Sequence, residues 1–326
     1  MERFHPDVSS EESNIEPVTS PNAPTALNFT AGDGTRVALH AWIPAGDVKG
    51  VVTIAHGLSE HAERYARFAG ALAEAGYAVY ASDHRGHGPL ARDENRLGEF
   101  GPDGWNATLG DLAHVTLIAH EAHPGKALFF FGHSMGSVFA QRFIQLHGAY
   151  LAGAVLCGSF GAIEGLEGIL QMADAMAQGA GAAVPSALQP QMFAGFNAAF
   201  EQKTGFEWLS RDESEVRKYV DSPLCGFPLT NGAMATMLHG FADAWRAENE
   251  ARIPVDLPIL IVAGAKDPAG AATGSLAALA ERYRALGVRD LTVTFYPDDR
   301  HEILNELDRE RVTSDLIAWF DGHLSA

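Results

Sequence analysis

A serine between two spaced glycines, in the stretch FFFGHSMGSVF (129–139), is the first candidate for chemistry in this chain of 326 residues. Alone, the pattern G-x-S-x-G says little: at ordinary Gly and Ser usage, about one chain in ten of this length carries it by chance. The flanks decide. FFFG has the make-up of a buried strand, and GSVFAQRF opens a helical pattern. Gly132 and Gly136 stand where a tight strand-to-helix turn has no room for a Cβ. A nucleophile elbow of this kind lifts the Ser134 hydroxyl above the carboxyl edge of a sheet. The helix N-terminus behind it favours developing negative charge.

A serine hydroxyl is a poor nucleophile and needs a base that is itself oriented by an acid, in the chain order Ser, Asp or Glu, His. Downstream of Ser134 the histidines are His147, His239, His301 and His323. The first lies in the helix after the elbow, the second in a helical stretch, and the last in the final helix. His301 alone follows a strand directly, after LTVTFYP. Asp267 ends the strand-like run ILIVAGAKD and precedes Pro268, so the chain turns there. Asp298 and Asp299 are too near His301 in sequence to reach it comfortably. An oxyanion would be held by the N–H of Met135, the residue after the nucleophile, and by an N–H of the loop His56-Gly57-Leu58-Ser59, assigned to Leu58.

The elements that must position these groups alternate along the chain. ALNFTA and VALHAWI, separated by Gly32-Asp33-Gly34, read as a hairpin. Strand-like runs then alternate with helical ones, among them a helix over AERYARFAGALAEAG (62–76), from GVVTIAH (50–56) to LAGAVLCGS (151–159), and again from LPILIVAGAKD (257–267) to the C-terminal helix. The strands are apolar throughout, as strands covered on both faces are. The fold class expected is α/β, a doubly wound, mostly parallel sheet. Residues 161–250 break the rhythm and read as a helical cap inserted after the sixth strand, between core segments 25–160 and 251–326. Residues 1–24, polar and acidic, read as a flexible tail.

Composition narrows the function classes. With 41 acidic and 23 basic residues the net charge is −18, which repels phosphate backbones, so nucleic acid is excluded as a partner. Two distant cysteines, Cys157 and Cys225, form no disulfide framework or metal-ligand spacing. The N-terminus has no apolar h-region and no run reaches membrane-spanning length, so the expectation is a cytoplasmic protein. There is no glycine-rich nucleotide loop, and no cofactor or metal is expected. His84 and His87, in a Gly-rich turn with no third ligand, read as loop structure.

HGLSEHAERY (56–65), DHRGHG (83–88), GHSMGS (132–137) and GAKDPAG (264–270) together resemble the signatures of monoacylglycerol lipases and related bacterial lysophospholipase-like α/β-hydrolases. WLSRDESEVRKYVDSPL (208–224) is similar to a cap stretch of the same family. The resemblance runs from about residue 27 to the C-terminus. It implies a serine hydrolase of carboxylic esters, with the α/β-hydrolase fold and Ser134, Asp267 and His301 as the triad. It further implies that Glu60 and Arg64 lie at the alcohol end of the pocket and that Tyr219 touches a glycerol. A loop-fixing ion pair and a packed aromatic are the alternative readings for these three. The sequence departs from the common HG-x-G-EH form in having Leu58 and Ser59. Met172, Met176, Met192, Phe193, Phe196 and Phe200 either line an acyl pocket or a lipid-facing surface, or pack the cap onto the core. The substrate expected is a monoacylglycerol- or lysophospholipid-like ester. The rivals are a general carboxylesterase, an amide or lactone hydrolase, and a non-catalytic binding module. The presence of all three triad residues opposes the last.

Overall fold

The computed structural model describes residues 24–270, 272 and 274–324; all but one residue of the expected N-terminal tail lies outside them. Eight strands form one sheet: β1 (Thr25–Thr30), β2 (Arg36–Trp42), β3 (Gly50–Ala55), β4 (Tyr77–Ser82), β5 (Ala127–His133), β6 (Gly153–Cys157), β7 (Ile259–Gly264) and β8 (Leu291–Tyr296). Their order is β1-β2-β4-β3-β5-β6-β7-β8. The expected hairpin is present as an antiparallel β1–β2 pair, β2 also runs antiparallel to β4, and every later pairing is parallel. The expected α/β-hydrolase architecture is therefore the observed one.

The absence of polar alternation in the central strands has its cause in two covered faces. Successive side chains of a strand point to opposite sides. Phe130, Leu156 and Ile261 accordingly join one core with α3 (Gly104–Ala122) and α4 (Met135–His147), while Phe129, Phe131, Val155 and Leu260 join the other. That second core is closed by α1 (Ala66–Glu74), preceded by a 3-10 turn over Ala62–Tyr65, and by the C-terminal helix Arg309–Gly322. The expected helix over 62–76 is thus split. A short helix, α2 (Gly88–Asp93), follows the DHRGHG turn and was not expected.

Between β6 and β7 no strand of the sheet forms. The chain there makes α5 (Leu166–Met176), α6 (Leu188–Phe193), α7 (Glu213–Asp221), α8 (Asn231–Ala244) and α9 (Ala247–Glu250). Of these, α8 carries the most apolar contact into the first core, and Gly240 lets it approach the Trp105 ring, which a Cβ would overlap. Beyond β7, α10 (Ser275–Ala285) joins the same core, and the C-terminal helix is α11.

Parallel strands end at one edge, so the loops after β3, β5, β7 and β8 converge there although they are up to about 240 residues apart. Neighbouring strands are about 4.8 Å apart, so the loop after β8 must cross the ends of β7 and β6 to reach β5. Glycines clear its path. A Cβ on Gly264 would overlap the carbonyls of Asp299 and Arg300, and one on Gly158 would sit 3.0 Å from the His301 carbonyl oxygen.

Candidate active site

Ser134 stands between β5 and α4 with φ 54° and ψ −121°, a left-handed conformation that costs a non-glycine residue about 1–3 kcal/mol. The surroundings hold it there. Its N–H donates to the Cys157 carbonyl at 3.0 Å, and its carbonyl accepts from the Ser137 N–H at 2.8 Å. The two glycines act as the sequence suggested: a Cβ on Gly132 would overlap the Gly136 carbonyl, and one on Gly136 the carbonyls of Ala55 and His56. While its neighbours are buried, Ser134 itself stays partly exposed.

His301 and Asp267 are brought together. The imidazole Nδ1 lies 3.0 Å from Asp267 Oδ2, and both residues are buried. The other carboxylate oxygen of Asp267 accepts the Ala269 N–H at 2.9 Å, so both oxygens have fixed roles. The His301 ring is flanked by His133 and Trp208, with centroids 4.8 Å and 4.9 Å away. Its backbone is pinned as well: the His301 N–H donates to the Trp208 carbonyl at 3.2 Å and the Glu302 N–H to the Leu209 carbonyl at 2.7 Å. The stretch Glu207–Arg211 is fastened along the loop before His301. Arg300 donates to the carbonyls of Glu207 and Ser210, and Arg211 binds Asp299, Glu306 and Asp308. Those three carboxylates lie close enough to one another to hold a cation, and the Arg211 guanidinium already supplies the positive charge among them.

The loop after β3 offers few free donors. The Gly57 N–H is taken by Glu60 Oε1 at 2.5 Å and the Ser59 N–H by His87 Nε2 at 3.2 Å, which leaves the Leu58 N–H at the cavity wall. Met135 is the first residue of α4, so its N–H has no intrahelical acceptor and borders the same cavity. His56, His84 and His87 shape this loop from behind. His56 Nδ1 donates to the Gly57 carbonyl and its Nε2 accepts from the His84 N–H, while His84 Nε2 donates to the His56 carbonyl. Burial pushes His84 down to about 3 and His87 down to about 4, so both are neutral, as their roles as acceptor and single donor require.

Glu60 and Arg64 come together with a third partner, Glu302. Arg64 Nη1 reaches Glu60 Oε2 and, at 2.7 Å, Glu302 Oε1, and its Nη2 donates to Glu302 Oε2 at 2.8 Å. Burial alone would raise the Glu60 carboxyl, but Arg64 and His133 outweigh it and hold it well below the usual carboxylate range. Arg64 lies behind the large cavity, its guanidinium 5.0 Å from the Tyr219 ring centroid, whereas Glu60 and Tyr219 line that cavity. The Tyr219 hydroxyl donates to the Ser59 carbonyl at 3.2 Å.

The cavity measures about 1150 Å³ and receives Leu58, Ser134, Met135 and His301. Its wall is mostly apolar. Of the Met and Phe residues singled out from sequence, Met192, Phe193 and Phe196 line it; Phe200 instead packs under Arg300, and Met172 is half exposed. Residues to which the sequence gave no role of their own are Ser59, His133, Gln189, Trp208, Glu302 and Arg211. A bulky non-glycine pair at Leu58-Ser59 was the one available signal, and the others act through contacts between distant segments.

Known proteins identify the family. A profile of the family described as serine aminopeptidase, S33 (Hydrolase_4) matches residues 46–308. The chain is 29% identical over 299 residues to a monoacylglycerol lipase of Mycolicibacterium smegmatis, covering 91% of this chain and 97% of the other. It is 26% identical over 325 residues to a monoglyceride lipase of Mus musculus, with 98% and 97% covered. In structure it is similar to a highly thermostable carboxyl esterase from Bacillus coagulans in complex with glycerol. There the TM-score is 0.86 at 28% identity, over 93% of this chain and 99% of that one.

Proposed function

Because the chain belongs to the Hydrolase_4 (serine aminopeptidase, S33) family and is a carboxylic ester hydrolase, we propose that it cleaves monoacylglycerol- or lysophospholipid-like acyl esters through Ser134, His301 and Asp267. Ser134 Oγ attacks the ester carbonyl carbon while His301 Nε2 takes its proton. The carbonyl oxygen becomes an oxyanion held by the N–H groups of Leu58 and Met135. Collapse of the tetrahedral species breaks the C–O bond, and His301 returns the proton to the leaving alcohol. Water then attacks the acyl-enzyme by the same route, releasing the acid and restoring Ser134. Asp267 keeps the Nδ1 proton in place and stabilises the imidazolium.

The observation that carries this reading is the buried 3.0 Å Asp267–His301 pair opening onto the cavity that also receives Ser134. The cavity's volume, about 1150 Å³, lies just above the usual range of small-molecule sites (about 300–1,000 Å³), and its apolar wall suits a long acyl chain. Glu60 and Tyr219 then border the alcohol group, with Arg64 as the counter-ion that fixes Glu60. The helical segment between β6 and β7 serves as the cap. The family's description favours one second reading, peptide hydrolysis. A site for a peptide's terminal ammonium needs an unpaired carboxylate; of the glutamates that line the cavity, Glu60 and Glu302 are both paired with Arg64, which leaves the exposed Glu164 for that role.

A panel of p-nitrophenyl esters and monoacylglycerols from C2 to C18, together with alanine and leucine p-nitroanilides, tests the assignment through kcat/KM. Higher values for medium and long monoacylglycerols than for acetyl esters, with negligible anilide cleavage, are expected. A sharp preference for short synthetic esters would make the protein a general carboxylesterase, and efficient anilide cleavage would make it a peptidase.

A further inference from the structure

Ser59 is one of four described non-glycine residues with positive φ, at 53°, and it sits in the turn next to Leu58. Such a conformation is strained for a residue with a Cβ unless its surroundings enforce it. At Ser59 every polar atom is engaged. Its N–H donates to His87 Nε2 at 3.2 Å. Its carbonyl accepts from the Tyr219 hydroxyl at 3.2 Å and from the Gly226 N–H at 2.9 Å. Its hydroxyl donates to the Phe227 carbonyl at 2.6 Å and accepts from Gln189 Nε2 at 3.2 Å. Gln189 in turn accepts the Leu229 N–H at 2.6 Å, so the contact is part of a continuous polar network. Four of the five bonds run to the segment between β6 and β7.

We propose that Ser59 is a positioning residue that ties the oxyanion loop to the helical segment between β6 and β7, so that the segment's seating sets the aim of the Leu58 N–H. The proposal rests on the reading of Leu58 as an oxyanion donor. Leu58 lies between Gly57, held by Glu60, and Ser59, held by the helical segment, and its own N–H has no restraint other than these neighbours. The hydroxyl of a serine that is itself only 2% exposed, with a donor and an acceptor both in place, is costly to strand and therefore resists small shifts of the loop. Loosening Ser59 turns the Leu58 N–H away from the developing oxyanion while leaving the apolar wall that binds the substrate intact.

Three variants test this. Ser59→Gly removes the hydroxyl and relieves the positive φ, Ser59→Ala removes the hydroxyl and keeps the strain, and Gln189→Ala removes the bond to the hydroxyl from the other side. On p-nitrophenyl butyrate each should lower kcat about tenfold, less than the about hundredfold or greater loss from deleting an oxyanion donor outright. KM should stay within about twofold, and Ki for 1-butaneboronic acid, which mimics the tetrahedral species, should rise in step with the loss of kcat/KM. Combining Ser59→Gly with Gln189→Ala should cost no more than Ser59→Gly alone. Unchanged kcat and boronate Ki in a variant whose circular dichroism melt shows it folded would overturn the proposal, as would a loss confined to KM. If Ser59→Gly does not fold, Gln189→Ala decides. Ser134→Ala separates the two levels: if it retains activity, the reading of the site fails, and if it is inert while Ser59→Gly behaves as wild type, only the coupling fails.

Discussion

Replacing Asp267 by asparagine should cost far more than the loss of one charge, for a reason visible in the hydrogen bonds. Asp267 Oδ1 accepts the Ala269 N–H at 2.9 Å, and Oδ2 faces His301 Nδ1 at 3.0 Å. The Ala269 donor requires an oxygen opposite it, so an amide must direct its NH₂ group at His301. An N–H facing Nδ1 makes that nitrogen an acceptor and moves the imidazole proton to Nε2, the atom that takes the proton from Ser134 in the proposed mechanism. The base is then held in the unreactive tautomer. Loss of the correct tautomer in a serine triad lowers kcat about 10⁴-fold, or about 5.5 kcal/mol at 1.36 kcal/mol per factor of ten. Stopped-flow and steady-state hydrolysis of p-nitrophenyl butyrate would read kcat directly. KM should change little, since Asp267 is fully buried and away from the substrate wall. A loss smaller than about thirtyfold, against the 10⁴ expected, would refute the tautomer reasoning.

Three further outcomes follow from the same structure. Gly136→Ala places a Cβ against the Ala55 and His56 carbonyls, backbone atoms that cannot step aside, and should destabilise by at least about 3 kcal/mol in urea unfolding; a loss under about 1 would contradict the contact. The buried, neutral His87 has its pKa pushed from 6.5 down to about 4, chiefly by burial, so the unfolded chain takes up a proton that the folded one refuses. Stability is therefore full above pH 6.5 and falls as the pH is lowered, by about 3 kcal/mol from His87 alone by pH 4, and His87→Gln should flatten the urea midpoint against pH over that window. Burial first, then Asp308 and Glu306, push Asp299 up to about 7, above its ordinary 3.8, so its contribution to stability is full below pH 3.8, declines as pH rises from there to 7, and is gone above 7. Asp308→Asn should thus stabilise by about 1 kcal/mol at pH 8 relative to its effect at pH 5, read from thermal melts, and an equal effect at both pH values would remove Asp299 from the account.

The parts of the candidate site that were legible in the sequence are those written in short contiguous stretches. A strand, two glycines and a helix announce Ser134, and strand ends announce Asp267 and His301, because a parallel sheet delivers all its strand ends to one edge. The fold was legible for the same reason: apolar runs of strand length between helical patterns leave little choice of architecture. What holds the loops of the candidate site in place was not legible. Trp208, Arg211 and Gln189 reach them across about 90 to 130 residues of sequence, and no local pattern encodes such packing. Glu60 and Arg64 were named through the resemblance of HGLSEHAERY, but their third partner, Glu302, is 238 residues from Arg64 and joins them in a buried ionic node that no local pattern encodes. The helix over 62–76 was overextended because apolar spacing is blind to the first-turn geometry of Ala62–Tyr65, where Tyr65 turns its hydroxyl to Glu60 at 2.8 Å.

The central claim is that Ser134 is the nucleophile. Incubation with a fluorophosphonate, followed by intact-mass and peptide mass spectrometry, tests it most directly. One equivalent of phosphonyl adduct on Ser134 is predicted, formed in parallel with loss of ester hydrolysis and absent from Ser134→Ala, which should be inert. An adduct on another residue that inactivates the protein, or undiminished hydrolysis by Ser134→Ala, would contradict the account.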